Sequence, residues 1–162
     1  MKIVQVGLSE LLKLQEISRS TFMQTFSEYN TKEDMQEYLE KNLSCNQLKI
    51  ELESPTAEFY FIYIDDKLSG YLKLNVSDSL EIERIYILNE FQGRGAGKAF
   101  MNFAFARARM LGYKLLWLGV WEHNSKALAF YHSLGFTAYG EHDFLLGSDL
   151  QRDILMRCTI VA

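Results

Sequence analysis

The sequence predicts one α/β domain in which helices pack on a mixed sheet. Apolar residues repeat with strand period in some segments and helix period in others. The resulting order is strand, helices, three strands, helix, strand, helix, strand pair. Hydrophobic residues are 48% of the 162, enough for a sizeable core in a single domain over 1–162. A turn with three glycines in five residues, Gly93 to Gly97, joins an apolar run to a helical one.

Ile3 to Val6 can form a first strand, and Ser9 can cap a helix from Glu10 to about Glu28. Leu11, Leu14, Ile17, Ser18, Thr21, Phe22, Thr25 and Phe26 share one face of that helix. Thr31 and Asp34 read as a capping box opening a helix to about Leu43. Asn46 is placed to cap a short helix that ends before Pro55, the only proline. Glu58–Ile64 and Lys67–Val76 form an antiparallel pair joined near Asp65-Asp66. Leu80–Leu88 is the strand that feeds the glycine turn, and Ala99–Leu111 continues the helix after it. The unbroken apolar run Leu115–Trp121 reads as a strand covered on both faces. Asn124 then caps a helix from Ser125 to Leu134 that Gly135 ends, with Ala127, Phe130, Tyr131 and Leu134 on its inward stripe. Tyr139–Leu146 and Asp149–Thr159 close the fold as a hairpin around Gly147.

Glycine permits positive φ and close approach of a ligand to the main chain. A glycine turn that opens a helix points free N–H groups at an anion, and the helix dipole assists. Arg94 and Lys98 add positive charge there, so Phe91-Gln92-Gly93-Arg94-Gly95-Ala96-Gly97-Lys98 reads as a phosphate-binding turn. A plain glycine-rich connection is the other reading of these residues alone. Neither the P-loop nor the dinucleotide fingerprint fits. Ala99 follows Gly97-Lys98 where Ser or Thr is required, and Lys98 stands where the third dinucleotide glycine belongs.

Gln92-Gly93-Arg94-Gly95-Ala96-Gly97 does fit Gln/Arg-x-x-Gly-x-Gly/Ala, and so resembles the acyl-CoA pyrophosphate loop of the GNAT superfamily of N-acetyltransferases. Asn124-x-x-Ala127-x-x-Phe130-Tyr131-x-x-x-Gly135-Phe136 resembles the segment that follows the loop in that family. The two segments stand in the right order, and the element order matches over nearly the whole chain. The resemblance implies a central, mostly antiparallel sheet of six or seven strands flanked by helices. It implies acetyl-CoA as co-substrate and no metal.

An amine with a pKa of ~10.4 costs about 4.6 kcal/mol to deprotonate at neutral pH. The strand Leu80-Glu81-Ile82-Glu83-Arg84-Ile85-Tyr86-Ile87 supplies two carboxylates just before the loop, on one face if the strand is regular. By the resemblance a strand glutamate serves as base. Glu81 matches by its spacing to Gln92, and Glu83 competes; pairing with Arg84 is the structural alternative for each. Glu122 is a third acid nearby. The resemblance further implies that backbone N–H groups around Ile85, Tyr86 and Ile87 hold the pantetheine and the oxyanion. It gives Tyr131 as the acid that protonates the leaving thiolate, and Asn124 and Lys126 as cofactor contacts beside the loop.

Composition narrows the partners. The first 66 residues hold 12 of the 21 acids and 6 of the 17 bases. The basic remainder suits an anionic cofactor, while the acidic first part suits a cationic substrate and argues against nucleic acid. No apolar run reaches membrane-span length and no signal-peptide layout opens the chain, so a cytoplasmic protein is expected. Cys45 and Cys158 are too few for a disulfide framework, and the three histidines lack metal-ligand spacing. Trp117 and Trp121 share a strand face, with Trp121 able to border a substrate.

The helical run Thr21-Phe22 to Tyr38-Leu39, with the strand Leu80–Ile87 and the stretch Trp117-Leu118-Gly119-Val120-Trp121-Glu122, resembles the PaiA-type spermidine/spermine N-acetyltransferases. That implies a polyamine acceptor, with Glu28, Glu33, Asp34 or Glu37 available for its second ammonium. Another small amine, a peptide N-terminus, or a non-catalytic acetyl-CoA-binding regulator are the alternatives. A homodimer is left open.

Overall fold

The computed structural model describes residues 1–161. Seven strands form one sheet: β1 (Lys2–Gln5), β2 (Ala57–Ile64), β3 (Lys67–Val76), β4 (Leu80–Ile87), β5 (Leu115–Trp121), β6 (Thr137–Leu146) and β7 (Asp149–Thr159). Their order is β1-β2-β3-β4-β5-β7-β6, with β7 inserted between β5 and β6. All neighbours are antiparallel except β4 and β5. The helices are α1 (Leu11–Phe26), α2 (Lys32–Asn42), α3 (Cys45–Glu53), α4 (Ala96–Leu111) and α5 (Ser125–Ser133).

Two apolar cores lie on opposite faces of the sheet. On one face α4 buries Phe100, Met101, Ala104 and Ala108 against Leu72, Leu74, Ile82 and Leu118. The small residues let the helix approach closely, and Tyr131 and Phe136 belong to the same cluster. On the other face α1, α2 and α3 bury Leu14, Phe22, Phe26, Met35 and Leu48 against Phe59, Phe61 and Tyr71. Fully burying one such side chain contributes about 1.5–3 kcal/mol, so both faces of the central strands carry stability.

Several element ends differ from the sequence expectation. Ser9 caps nothing; it lies in a 3-10 turn, Leu8–Glu10, that leads straight into α1. Ser44, not Asn46, caps α3, its side chain accepting from the Gln47 N–H at 3.1 Å. Thr31 does cap α2 by accepting from the Asp34 N–H, while the Asp34 carboxylate, still beside Thr31, has its main partner elsewhere. It accepts from the Ser148 N–H at 2.8 Å and from the Ser148 hydroxyl at 2.7 Å, tying the β6–β7 turn to α2.

Strand β4 is irregular in two places. Opposite β3, Lys73 pairs with Arg84 and Leu74 with Ile82, so Glu83 is an extra, bulged residue. Alternation is broken there: Glu81, Glu83 and Arg84 all turn to the α1–α3 face. Against β5 the strand pairs only from Leu80 to Ile82, opposite Leu116 to Leu118. Beyond that point the two strands splay apart.

Candidate active site

The splay opens a cleft of about 440 Å³, within the usual range for small-molecule sites. Its walls are Glu83 to Ile87 of β4 and Leu118 to Trp121 of β5. The glycine turn and the first turns of α5 form its mouth, and Thr25 and Phe26 of α1 close the far side.

The glycine turn is built to present donors. Gly93 and Gly95 have φ of 78° and 88°, a region closed to most side chains. Gly95 is the N-cap of α4, and the first helical bond runs from the Ala99 N–H to the Gly95 carbonyl. The amides of Ala96, Gly97 and Lys98 therefore have no intrahelical acceptor and face the mouth of the cleft. The Gln92 side chain braces the turn. Its amide donates to the Ile87 carbonyl at 3.0 Å, and its oxygen accepts from Lys126 Nζ at 3.1 Å. Lys98 and Lys126 thus bring two cations to an opening already lined with amides, an arrangement suited to a diphosphate.

Tyr131 lies in the cleft wall with its ring against Phe130 and Phe136. Burial raises its phenol above the ordinary value, so it enters any reaction protonated. Asn124 caps α5, its side-chain oxygen accepting from the Ala127 N–H at 3.2 Å, while its amide end remains available at the cleft.

The two strand glutamates have different surroundings. Glu83 lines the cleft but is held by Lys73, with Arg84 at 3.7 Å. Glu51 of α3 joins the same cluster, 2.7 Å from Lys73 and 2.9 Å from Arg84. Burial would raise the Glu51 carboxyl, but Arg84 and Lys73 outweigh it and hold it below the usual range. Glu81 sits between Asn75 and Trp117 in the ladder and does not line the cleft. Burial, and then the charge of Glu83, push its carboxyl upward.

The structure brings Glu83, Ile85, Tyr86, Ile87, Gln92, Gly93, Gly95, Ala96, Gly97, Lys98, Asn124, Lys126 and Tyr131 together around one cleft. Arg94 is not among them. Its guanidinium reaches back to Asp65 in the β2–β3 turn at 2.9 Å. Glu122 stands outside, 3.3 Å from His123. Of the acids on the N-terminal helices, none lines the cleft; Asp34 is taken by Ser148 and Glu37 by Lys41. Trp121 does border the cleft, packed on Phe26 and Tyr29. Thr25, Phe130 and Gly119, to which the motifs assign no role at a site, also line the cleft, as does Phe91 at the head of the glycine turn. A glycine inside an apolar strand was the readable sign of close approach at 119. Among the described residues no three His, Cys, Asp or Glu groups are placed to hold a metal ion, and no helix is long and apolar enough to cross a membrane.

Residues 12–136 match the profile of the Acetyltransferase (GNAT) family. An uncharacterized N-acetyltransferase in the pepI 3′ region of Lactobacillus delbrueckii subsp. lactis is 44% identical, over 99% of this chain and 98% of the relative. Among solved structures, the PaiA N-acetyltransferase of Thermoplasma acidophilum, in complex with coenzyme A, superposes with a TM-score of 0.81. It is 21% identical, over 98% of each chain. The ribosomal-protein-S18-alanine N-acetyltransferase of Escherichia coli gives 0.77 at 17% identity, over 99% of this chain and 94% of that one.

Proposed function

Since this chain belongs to the GNAT family of acetyltransferases, we propose that it moves the acetyl group of acetyl-CoA to a primary amine of a polyamine, by direct attack in a ternary complex. That it is an N-acetyltransferase follows from the family and from the relative that spans its whole length. The polyamine acceptor and the roles of individual residues are the proposed part.

The observation that carries it is the alignment, along one cleft, of a donor-rich helix start, a splayed strand edge and a buried phenol. Acetyl-CoA supplies an activated thioester and an anionic diphosphate. The amides of residues 93–98, with Lys98 and Lys126, bind the diphosphate; Asn124 steadies the arm below it. Beyond Ile82 the inner edge of β4 is free of β5, so main-chain groups of Ile85, Tyr86 and Ile87 can pair with the amides of that arm. One of these N–H groups holds the oxyanion as it develops. Tyr131 donates its proton to the departing thiolate. Of the two strand glutamates, Glu83 borders the cleft that a cationic amine would enter, and Glu81 stands behind it in the ladder. Two free, partly buried thiols agree with a cytoplasmic setting.

The decisive assay follows thiol release from acetyl-CoA with spermidine, spermine, butylamine and a short peptide as acceptors. Spermidine and spermine are expected to exceed butylamine in kcat/KM by about tenfold, the effect of one extra charge contact of about 1.4 kcal/mol. Equal rates for all four would overturn the polyamine reading. Tight acetyl-CoA binding without thiol release from any amine would favour the regulator instead.

A further inference from the structure

The amine must lose a proton before it attacks, and neither strand glutamate is well placed to take it. Glu83 spends its carboxylate on Lys73 and Arg84, and Glu81 lies back in the ladder between Asn75 and Trp117, where β4 and β5 are still paired. Across the splay, however, β5 carries Gly119 in the cleft wall. A Cβ at that position would stand 3.3 Å from Asp153 Oδ2 on β7 and 3.3 Å from His142 Cε1 on β6. Both side chains lean over the glycine, whose main chain lines the cleft, and only its missing side chain makes room for them there. His142 and Asp153 are direct partners in the β6–β7 ladder, with Nε2 and Oδ2 3.9 Å apart. That is too long for a hydrogen bond but close enough for attraction once the imidazole is charged.

We propose that His142 accepts the proton of the acceptor ammonium above Gly119, while Asp153 holds the ammonium and then stabilises the imidazolium. This rests on the acetyltransferase reading of the cleft. Asp153 is suited to the task because it has a poorly solvated carboxylate and no resident cation among the described residues beyond His142 itself. Imidazole is the side chain that exchanges protons near neutral pH. The other charged groups on this face include Glu81 of β4, which His142 offsets, Arg157 of β7, which is stacked on Tyr139 of β6 at 4.8 Å, and the mutually paired Glu83, Arg84 and Lys73 of β4 and β3.

The step balances. The ammonium gives one proton to His142, and the free amine forms an N–C bond to the thioester carbonyl. The C–S bond then breaks, and the thiolate takes a proton from Tyr131. The nitrogen loses its remaining excess proton, through solvent, to the Tyr131 oxygen. His142 releases its proton to bulk water, so the products are amide, thiol and one proton.

With a base of this kind kcat/KM is level across the range between imidazole and amine ionisation. Without it the rate follows the fraction of free amine and climbs tenfold per pH unit. The test compares the native protein with His142→Gln and Asp153→Asn, using acetyl-CoA and the best acceptor from the panel, over pH ~5.5 to ~11.4, one unit beyond the ordinary imidazole and amine values. His142→Gln is expected to lose about 100-fold at neutral pH, and the deficit should close as the amine ionises unaided. Asp153→Asn is expected to raise KM for the amine about tenfold with a smaller change in kcat. Melting curves and acetyl-CoA calorimetry check that each variant folds, with His142→Asn as a second choice. A His142→Gln profile that parallels the native one overturns the proposal while leaving the acetyltransferase reading intact. Failure of the native protein to acetylate any amine removes both.

Discussion

Tyr131 and Asn124 lie on the same side of α5, and their spacing of seven residues is two helical turns. One anchors the start of the helix and the other ends inside the cleft. Tyr131→Phe removes a hydroxyl and little else, so acetyl-CoA affinity should hold while turnover drops by about tenfold or more. Unchanged turnover would take Tyr131 out of the mechanism. Asp153 makes a different prediction. Burial raises its carboxyl, so the folded protein keeps that proton to higher pH than the unfolded chain does. Its ionised form therefore costs stability, a cost absent below the unfolded value and fully present above the folded one. Asp153→Asn should raise Tm at neutral pH, and the gain should fade toward pH ~3.9, near the unfolded value for Asp. A loss of Tm at neutral pH would mean that attraction to His142 outweighs burial.

At the scale of elements, the glycine turn and the bulge in β4 do most to shape the site. Gly95→Val forces a β-branched residue to a φ of 88°, which should distort the start of α4 and abolish acetyl-CoA binding by calorimetry. Native binding in that variant would contradict the diphosphate reading. The turn was legible because its glycines are chemically unusual, and the α5 segment because its cap and inward stripe are. The order of strands and helices was legible for the same reason: period and punctuation are local. The bulge was not, since Glu83 carries no glycine or proline to mark it; it arises from pairing with β3. The Arg94 contact with Asp65 also escaped, because it links a loop to a turn 29 residues earlier. His142 and Asp153 meet only through the β6–β7 register, and their nearness to the cleft depends on β5. A sequence scan sees them as isolated polar residues in a hairpin.

For the molecule as a whole, the Lys73, Arg84, Glu51 and Glu83 cluster fastens α3 to the central strands directly behind the cleft. Lys73 is only 6% exposed. Lys73→Ala leaves buried carboxylates short of a cation and should cost about 3 kcal/mol in urea unfolding, because a broken buried pair keeps its desolvation penalty. A loss under about 1 kcal/mol would place the cluster among weak surface pairs. The seating of β7 between β5 and β6 has a consequence for biosynthesis. As the polypeptide leaves the ribosome, β6 emerges before the neighbour it needs, and the outer rim of β5 waits for that same neighbour. Seating of residues 149–159 therefore seals two seams at once, and until then the chain presents an unzipped rim and a stranded β6, both open to pairing with another chain.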